Sequence, residues 1–171
     1  RHFLSQAASS MSLLPVVGCA AKSARFSGSE TLPAGEIPRR KLGSTGIEVS
    51  RLGFGSHLLW DRVGDQKNRD RLIRLGYEAG INLFDVYNRD PYKQYIPMGN
   101  CVRDFRKNIV ISLYAKPEPS KLQEHLDNAL RVFHTDYIDL YRFYPTNDES
   151  IRLAEKNRQA GKLRAVGVAS H

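Results

Sequence analysis

From about Arg39 onward, short apolar runs alternate with segments of helical period, and that alternation constrains the fold more than any other feature of the 171-residue chain. Ile81–Tyr87, Ile109–Leu113, Asp136–Tyr141 and Leu163–Ser170 read as strands of four to eight residues. Leu72, Leu75, Gly76 and Ala79 fall at i, i+3, i+4 and i+7 and put one apolar stripe on a first helix, which Gly80 closes. A short helix is expected around Gly99 to Phe105. Ser120-Lys121-Leu122-Gln123 is a capping-box pattern that starts a further helix, with the stripe Leu122, Leu126, Ala129, Leu130 and Phe133. The last helix has Gly161 after its final turn. Strands that alternate with helices in this way build right-handed βαβ units and a parallel sheet.

Ahead of these units, Arg40–Gly43, a Ser44-Thr45-Gly46 turn and Ile47–Ser50 read as a small hairpin. Arg51-Leu52-Gly53-Phe54-Gly55-Ser56 then forms a short strand whose glycines permit close backbone approach. In a barrel of parallel strands, chemistry is done at the C-terminal strand ends. Asp85 sits at such an end, and Tyr87 follows two residues later on the same face of the strand. Asp85 is therefore the first candidate for a functional carboxylate, with Tyr87 beside it.

Several of these stretches resemble the aldo-keto reductases. Gly80–Tyr87 is similar to their second barrel strand, G-x-N-x-F-D-T-A, and the hairpin followed by L-G-x-G is similar to their opening. Asp136–Tyr141 matches D-Y-I-D-L-Y, and Leu163–Ser170 resembles G-K-I-R-x-I-G-V-S-N. The resemblance runs from Arg39 to His171 and implies an α/β fold, a (β/α)8 TIM barrel of which this chain holds the hairpin and about five βα units. A complete barrel takes about 250 residues, so the chain reads as a fragment.

The same resemblance implies NADPH or NADH as cofactor and a small carbonyl or alcohol as substrate. The family works with an Asp, a Tyr, a Lys and a His. The Tyr hydroxyl gives a proton to the developing alkoxide, the Lys tunes that weak acid, and the Asp keeps the Lys charged. Asp85 occupies the Asp position. The Tyr position holds Asp90, flanked by Tyr87 and Tyr92. The Lys position holds Tyr114, with Lys116 two residues on, and the His position holds Tyr144. The site that follows is Asp85 and Lys116 tuning Tyr87 or Tyr144. Gly55, Ser56, Asp85 and Ser170 are the positions expected beside the cofactor.

The leader adds a separate expectation. Arg1-His2-Phe3-Leu4 resembles the end of a twin-arginine export motif, Ser5 to Cys19 is uncharged, and Leu13–Val17 is a modest apolar core. Val16-Val17-Gly18-Cys19 resembles a lipobox, with Cys19 as the lipidated residue. Residues 1–19 are thus expected to be a signal peptide, 20–38 a flexible linker and 39–171 the partial barrel. Such a protein would be exported and membrane-anchored through Cys19, in the periplasm or at the cell surface.

The net charge of +8 does not by itself indicate a nucleic-acid binder. Half of it lies in the first 41 residues, and the barrel segment has no basic stripe interleaved with aromatic residues. Cys19, Cys101 and the scattered histidines show no metal-ligand spacing. Two rival readings stand beside the reductase. One is a catalytically inactive barrel acting as a binding or scaffold lipoprotein, and the other is a barrel hydrolase or isomerase using Asp85.

Overall fold

A computed structural model describes residues 37–56, 65–87, 95–115, 119–144 and 147–169. The leader, the linker up to 36 and the positions Cys19, Asp90, Tyr92, Lys116, Ser170 and His171 lie outside the described residues.

The hairpin forms as expected, with β1 (Arg39–Lys41) antiparallel to β2 (Glu48–Ser50) and Gly43 and Gly46 at positive φ in the turn. Five parallel strands follow in chain order: β3 (Gly53–Gly55), β4 (Leu83–Tyr87), β5 (Val110–Ala115), β6 (Ile138–Phe143) and β7 (Leu163–Val168). Four helices connect them: α1 (Gln66–Glu78), α2 (Tyr95–Val102), α3 (Leu122–Val132) and α4 (Asp148–Gln159). This is the succession of parallel βα units that the alternating pattern requires.

β5 is buried on both faces along its whole length, and the alternation along the central strands assigns a side. Phe84 and Val86, Ile111 and Leu113, and Tyr141 and Phe143 point to the helices and pack with Ile73, Met98, Val102, Leu122, Leu126 and Ala129. On the opposite face Leu83, Val110, Leu140 and Ala165 meet Ile47 and Val49 of the hairpin. The hairpin thereby closes the N-terminal end of the sheet, and Asn82 fastens it there. The Asn82 side chain accepts the Ser50 N–H at 2.6 Å and donates to the Glu48 carbonyl at 3.0 Å, while Ser50 Oγ accepts the Asn82 N–H at 3.0 Å.

Three local expectations need correction. On α1 the apolar stripe is turned away from the core: Leu72 is 40% and Leu75 47% exposed, and Ile73 is the buried residue. Gly76 decides the rotation, because that helix face lies against Phe54, where an added Cβ would come within 2.9 Å of the ring. Tyr77, next on the same side, stacks on Phe105 with ring centroids 4.2 Å apart. The second helix starts earlier than expected and ends at Val102, followed by turns through Phe105 and Asn108. Its Pro97 stands in the first turn, where a missing N–H costs the helix nothing. The capping box at Ser120 does not form: a 3-10 turn over Pro119–Lys121 leads into α3, whose first residue is preceded by Lys121 with no side-chain cap. The stripe of α3 is nevertheless as expected, with Leu122, Leu126, Ala129 and Phe133 buried.

Candidate active site

Parallel pairing brings one residue from each strand to a common level. Gly55, Asp85, Ser112, Leu140 and Ala165 share one level on the hairpin side of the sheet, and Tyr87, Tyr114, Arg142 and Gly167 share the next one toward the C-terminal ends. Asp85 thus stands just below the rim, as its place near the end of β4 implies. The backbone at that point is fixed from β3: the Ser56 N–H donates to the Asp85 carbonyl at 2.9 Å, and Ser56 Oγ accepts the Tyr87 N–H at 3.3 Å. Ser56 is fully buried, so its visible role is to brace the end of β4. Beside Asp85, a Cβ added at Gly55 would meet no atom of the described residues within 4 Å.

The partner of Asp85 is Arg142, which sequence reasoning did not single out. Its guanidinium Nη2 donates to Asp85 Oδ1 across the intervening strand β5. Two small residues make that reach possible. Ser112 occupies the β5 position between Asp85 and Leu140, and Gly167 lies beside the Arg142 stem, where an added Cβ would stand 3.0 Å from Cγ. The Arg142 side chain is 29% and the Asp85 side chain 40% exposed, so the pair remains in contact with solvent. Arg142 Nε is buried and has no acceptor among the described residues.

Three phenols surround this pair. The Tyr87 and Tyr114 rings lie 4.5 Å apart between centroids, Tyr114 and Tyr144 meet edge-on at 6.5 Å, and the Arg142 guanidinium carbon lies 6.0 Å from the Tyr114 centroid. Tyr114 is the most enclosed, at 9% exposure. Burial pushes its phenol above the usual range, the neighbouring Tyr87 and Tyr144 add to the rise, and the Arg142 charge works against it. Asp85, Tyr87 and Tyr144 are thus gathered at one rim. With Lys116 outside the described residues, Arg142 is the cation seen there.

The register carried a signal for Arg142. It shares the parity of Leu140 on β6 and so faces the hairpin side, and a charged residue on an inward strand position calls for a partner. Reading only the four family positions passes over it.

The arrangement offers a weak acid, a carboxylate and a permanent cation around a partly open aromatic surface. The adjacent phenol rings and the lack of a side chain at Gly55 are the features here that suit a planar group such as a nicotinamide. The described residues include no matching arrangement for the cofactor phosphates.

No family model matches the chain. It is 27% identical to an uncharacterized oxidoreductase, YqkF, of Bacillus subtilis, covering 77% of this chain and 48% of that protein. It is 26% identical to the aldo-keto reductase YhdN of the same organism, over 75% of this chain and 46% of that one. The chain therefore spans about half the length of these curated relatives. In three dimensions it matches the holo form of an aldo-keto reductase, AKR11C1, from Bacillus halodurans, with a TM-score of 0.70 and 26% identity over 79% of this chain and 51% of that one. The parallel βα units match those of part of that family's TIM barrel, and in sequence and architecture together the chain is similar to about half of an aldo-keto reductase.

Proposed function

We propose that the protein is an NAD(P)H-dependent oxidoreductase acting on a carbonyl/alcohol pair with a rearranged catalytic tetrad. The observation that carries this reading is the Asp85–Arg142 pair set among Tyr87, Tyr114 and Tyr144 at the C-terminal rim of a parallel sheet. A nicotinamide bound there supplies the hydride. The chain's own groups do the rest: a phenol donates the proton that converts the nascent alkoxide to the alcohol, and the Asp85–Arg142 pair fixes the electrostatics around it. Gly55, Asp85 and Ser170 line the cofactor side in this reading, whereas Ser56, fully buried, braces the end of β4 behind them; Lys116 is retained as a second candidate cation. Among the relatives, an NADH-specific methylglyoxal reductase of Escherichia coli is 25% identical and an L-galactose dehydrogenase of Arabidopsis thaliana is 25% identical. Both names fit a small polar carbonyl or hydroxyl as the reacting group.

The leader belongs to the same proposal. Export by a twin-arginine route suits a protein that loads its cofactor before leaving the cytoplasm, and lipidation at Cys19 would hold it at the membrane. Mass spectrometry of the mature N-terminus tests that part, since an unmodified Cys19 or an uncleaved leader removes it.

The test of the enzyme reading is titration of the full-length protein with NADPH and NADH, followed by turnover on a panel of aldehydes and ketones. Binding and turnover that are lost in Asp85→Asn support it. A second reading is favoured by Tyr114 and Tyr144 standing where the family has Lys and His: a barrel without hydride chemistry, acting as a binding or scaffold lipoprotein. Absence of nicotinamide binding in the full-length protein decides for that alternative.

A further inference from the structure

We propose that the cleft at the N-terminal end of the sheet is a binding site for a small phosphate-bearing molecule, held by Arg103, Lys107 and His134. The cleft lies between the segment that precedes β5 and the turn that precedes β6, at the end opposite the Asp85 rim, and it stands apart from the oxidoreductase reading. Its volume is about 430 Å³, and its lining includes those three residues with Arg106, Asp136 and Tyr137. That size suits a small molecule.

Charge is the first observation. Among the described residues no carboxylate forms an ion pair with Arg103, Lys107 or His134. Below them, Arg106 and Arg164 share the single carboxylate of Asp139, so that network keeps a positive charge in excess. Both guanidiniums lie against the Tyr137 ring, at 5.0 and 5.9 Å from its centroid. Asp136 is the carboxylate in the lining itself. Four permanent cations thus stand against two carboxylates, and a phosphate monoester brings about two negative charges at pH 7.

The backbone is the second observation. The helices α1, α3 and α4 end in the same turn, in which the residue after the cap donates three positions back and the next residue five back. In α1 and α4 that residue is a glycine at positive φ, Gly80 or Gly161, whereas in α3 it is His134, at φ 50. A left-handed backbone disfavours a side chain with a Cβ, and residues held there in spite of it cluster at ligand clamps. This turn sets the imidazole against Arg103, whose Nη2 lies 2.8 Å from His134 Nε2. A guanidinium only donates, so Nε2 accepts and the neutral ring carries its proton on Nδ1. Two groups that present N–H donors are thereby tied side by side, as an oxyanion requires.

The test is calorimetric titration of the full-length protein with inorganic phosphate and with phenyl phosphate, at an ionic strength held constant with sodium chloride. Saturable binding at millimolar or lower concentration is expected, weakened about tenfold or more in Arg103→Gln and by a smaller factor in Lys107→Gln. His134→Gly separates binding from folding: it should weaken binding while the urea unfolding midpoint stays level or rises, since glycine suits that φ. Arg142→Gln, which removes the cation at the opposite rim, should leave the affinity as it is. No saturable binding, full affinity in both Arg103→Gln and His134→Gly, or a loss confined to Arg142→Gln overturns the proposal.

Discussion

Two aspartate–arginine pairs lie at opposite ends of the same sheet, and they have different physics. Near the N-terminal end, Asp139 is fully buried. It receives Arg106 at 2.9 Å, Arg164 at 2.7 Å and the Ile111 N–H at 3.0 Å, and Arg106 is itself only 4% exposed. Arg106 also donates to the carbonyls of Ile109 and Tyr137. Both oxygens of that carboxylate are bonded, and the network ties the starts of β5, β6 and β7 together. At the C-terminal end, Asp85 and Arg142 are both partly exposed, and the pair is surrounded by phenols rather than by backbone. The first pair is built to hold strands; the second leaves its groups available. Opposite charges in one sheet therefore divide by burial and by what else they touch.

The largest expected effect comes from breaking the buried network. Asp139→Asn or Asp139→Ala leaves Arg106 buried without its carboxylate and costs about 3–5 kcal/mol, read as a fall in the urea unfolding midpoint. Asp85→Asn should change the unfolding free energy by about 1 kcal/mol or less, because its pair is solvated and screened, yet lower kcat about a hundredfold. If the two variants are equally destabilised, the contrast between the ends of the sheet disappears.

Between these lies a pH effect on the helix-facing side. His125 on α3 approaches the Tyr141 hydroxyl at 3.1 Å, and burial holds its imidazole down at about 4. Since the folded value lies below the unfolded one near 6.5, the neutral ring stabilises the fold fully above pH 6.5. That contribution is lost as pH falls toward 4. The unfolding free energy should drop by about 2 kcal/mol across that window beyond the drop seen in His125→Phe. Parallel pH curves for the two proteins would contradict it. The smallest structural effect belongs to Gly167→Ala. The added methyl displaces the Arg142 stem by a few tenths of an ångström, so stability should change by less than about 1 kcal/mol while turnover falls measurably. A variant with unaltered kinetics would mean that the position of the arginine does not matter.

What was legible in the chain follows from the range of the interactions. Parallel strands and the C-terminal position of Asp85 could be read because each depends on local alternation and on the general geometry of βα units. Helix existence was readable for the same reason, but the face of α1 was not. Leu72 and Leu75 look like a core stripe in isolation, and only the close contact of Gly76 with Phe54 turns Ile73 inward. The role of Asn82 in pinning the hairpin and the Asp85–Arg142 pair span 34 and 57 positions, respectively, along the chain. Neither is visible in any window of local sequence. The capping pattern at Ser120 failed for a local reason instead, as the 3-10 turn over Pro119–Lys121 moves the helix start beyond it.

The most direct measurement is a double-mutant cycle on Asp85→Asn and Arg142→Met in the full-length protein, read both as kcat/KM and as unfolding free energy. If the rim pair serves chemistry, the kinetic effects should be strongly non-additive, with either single change removing most of what both remove together, while the coupling in stability stays within about 1 kcal/mol. Kinetic effects that simply multiply, or a coupling that appears only in stability, would contradict the account.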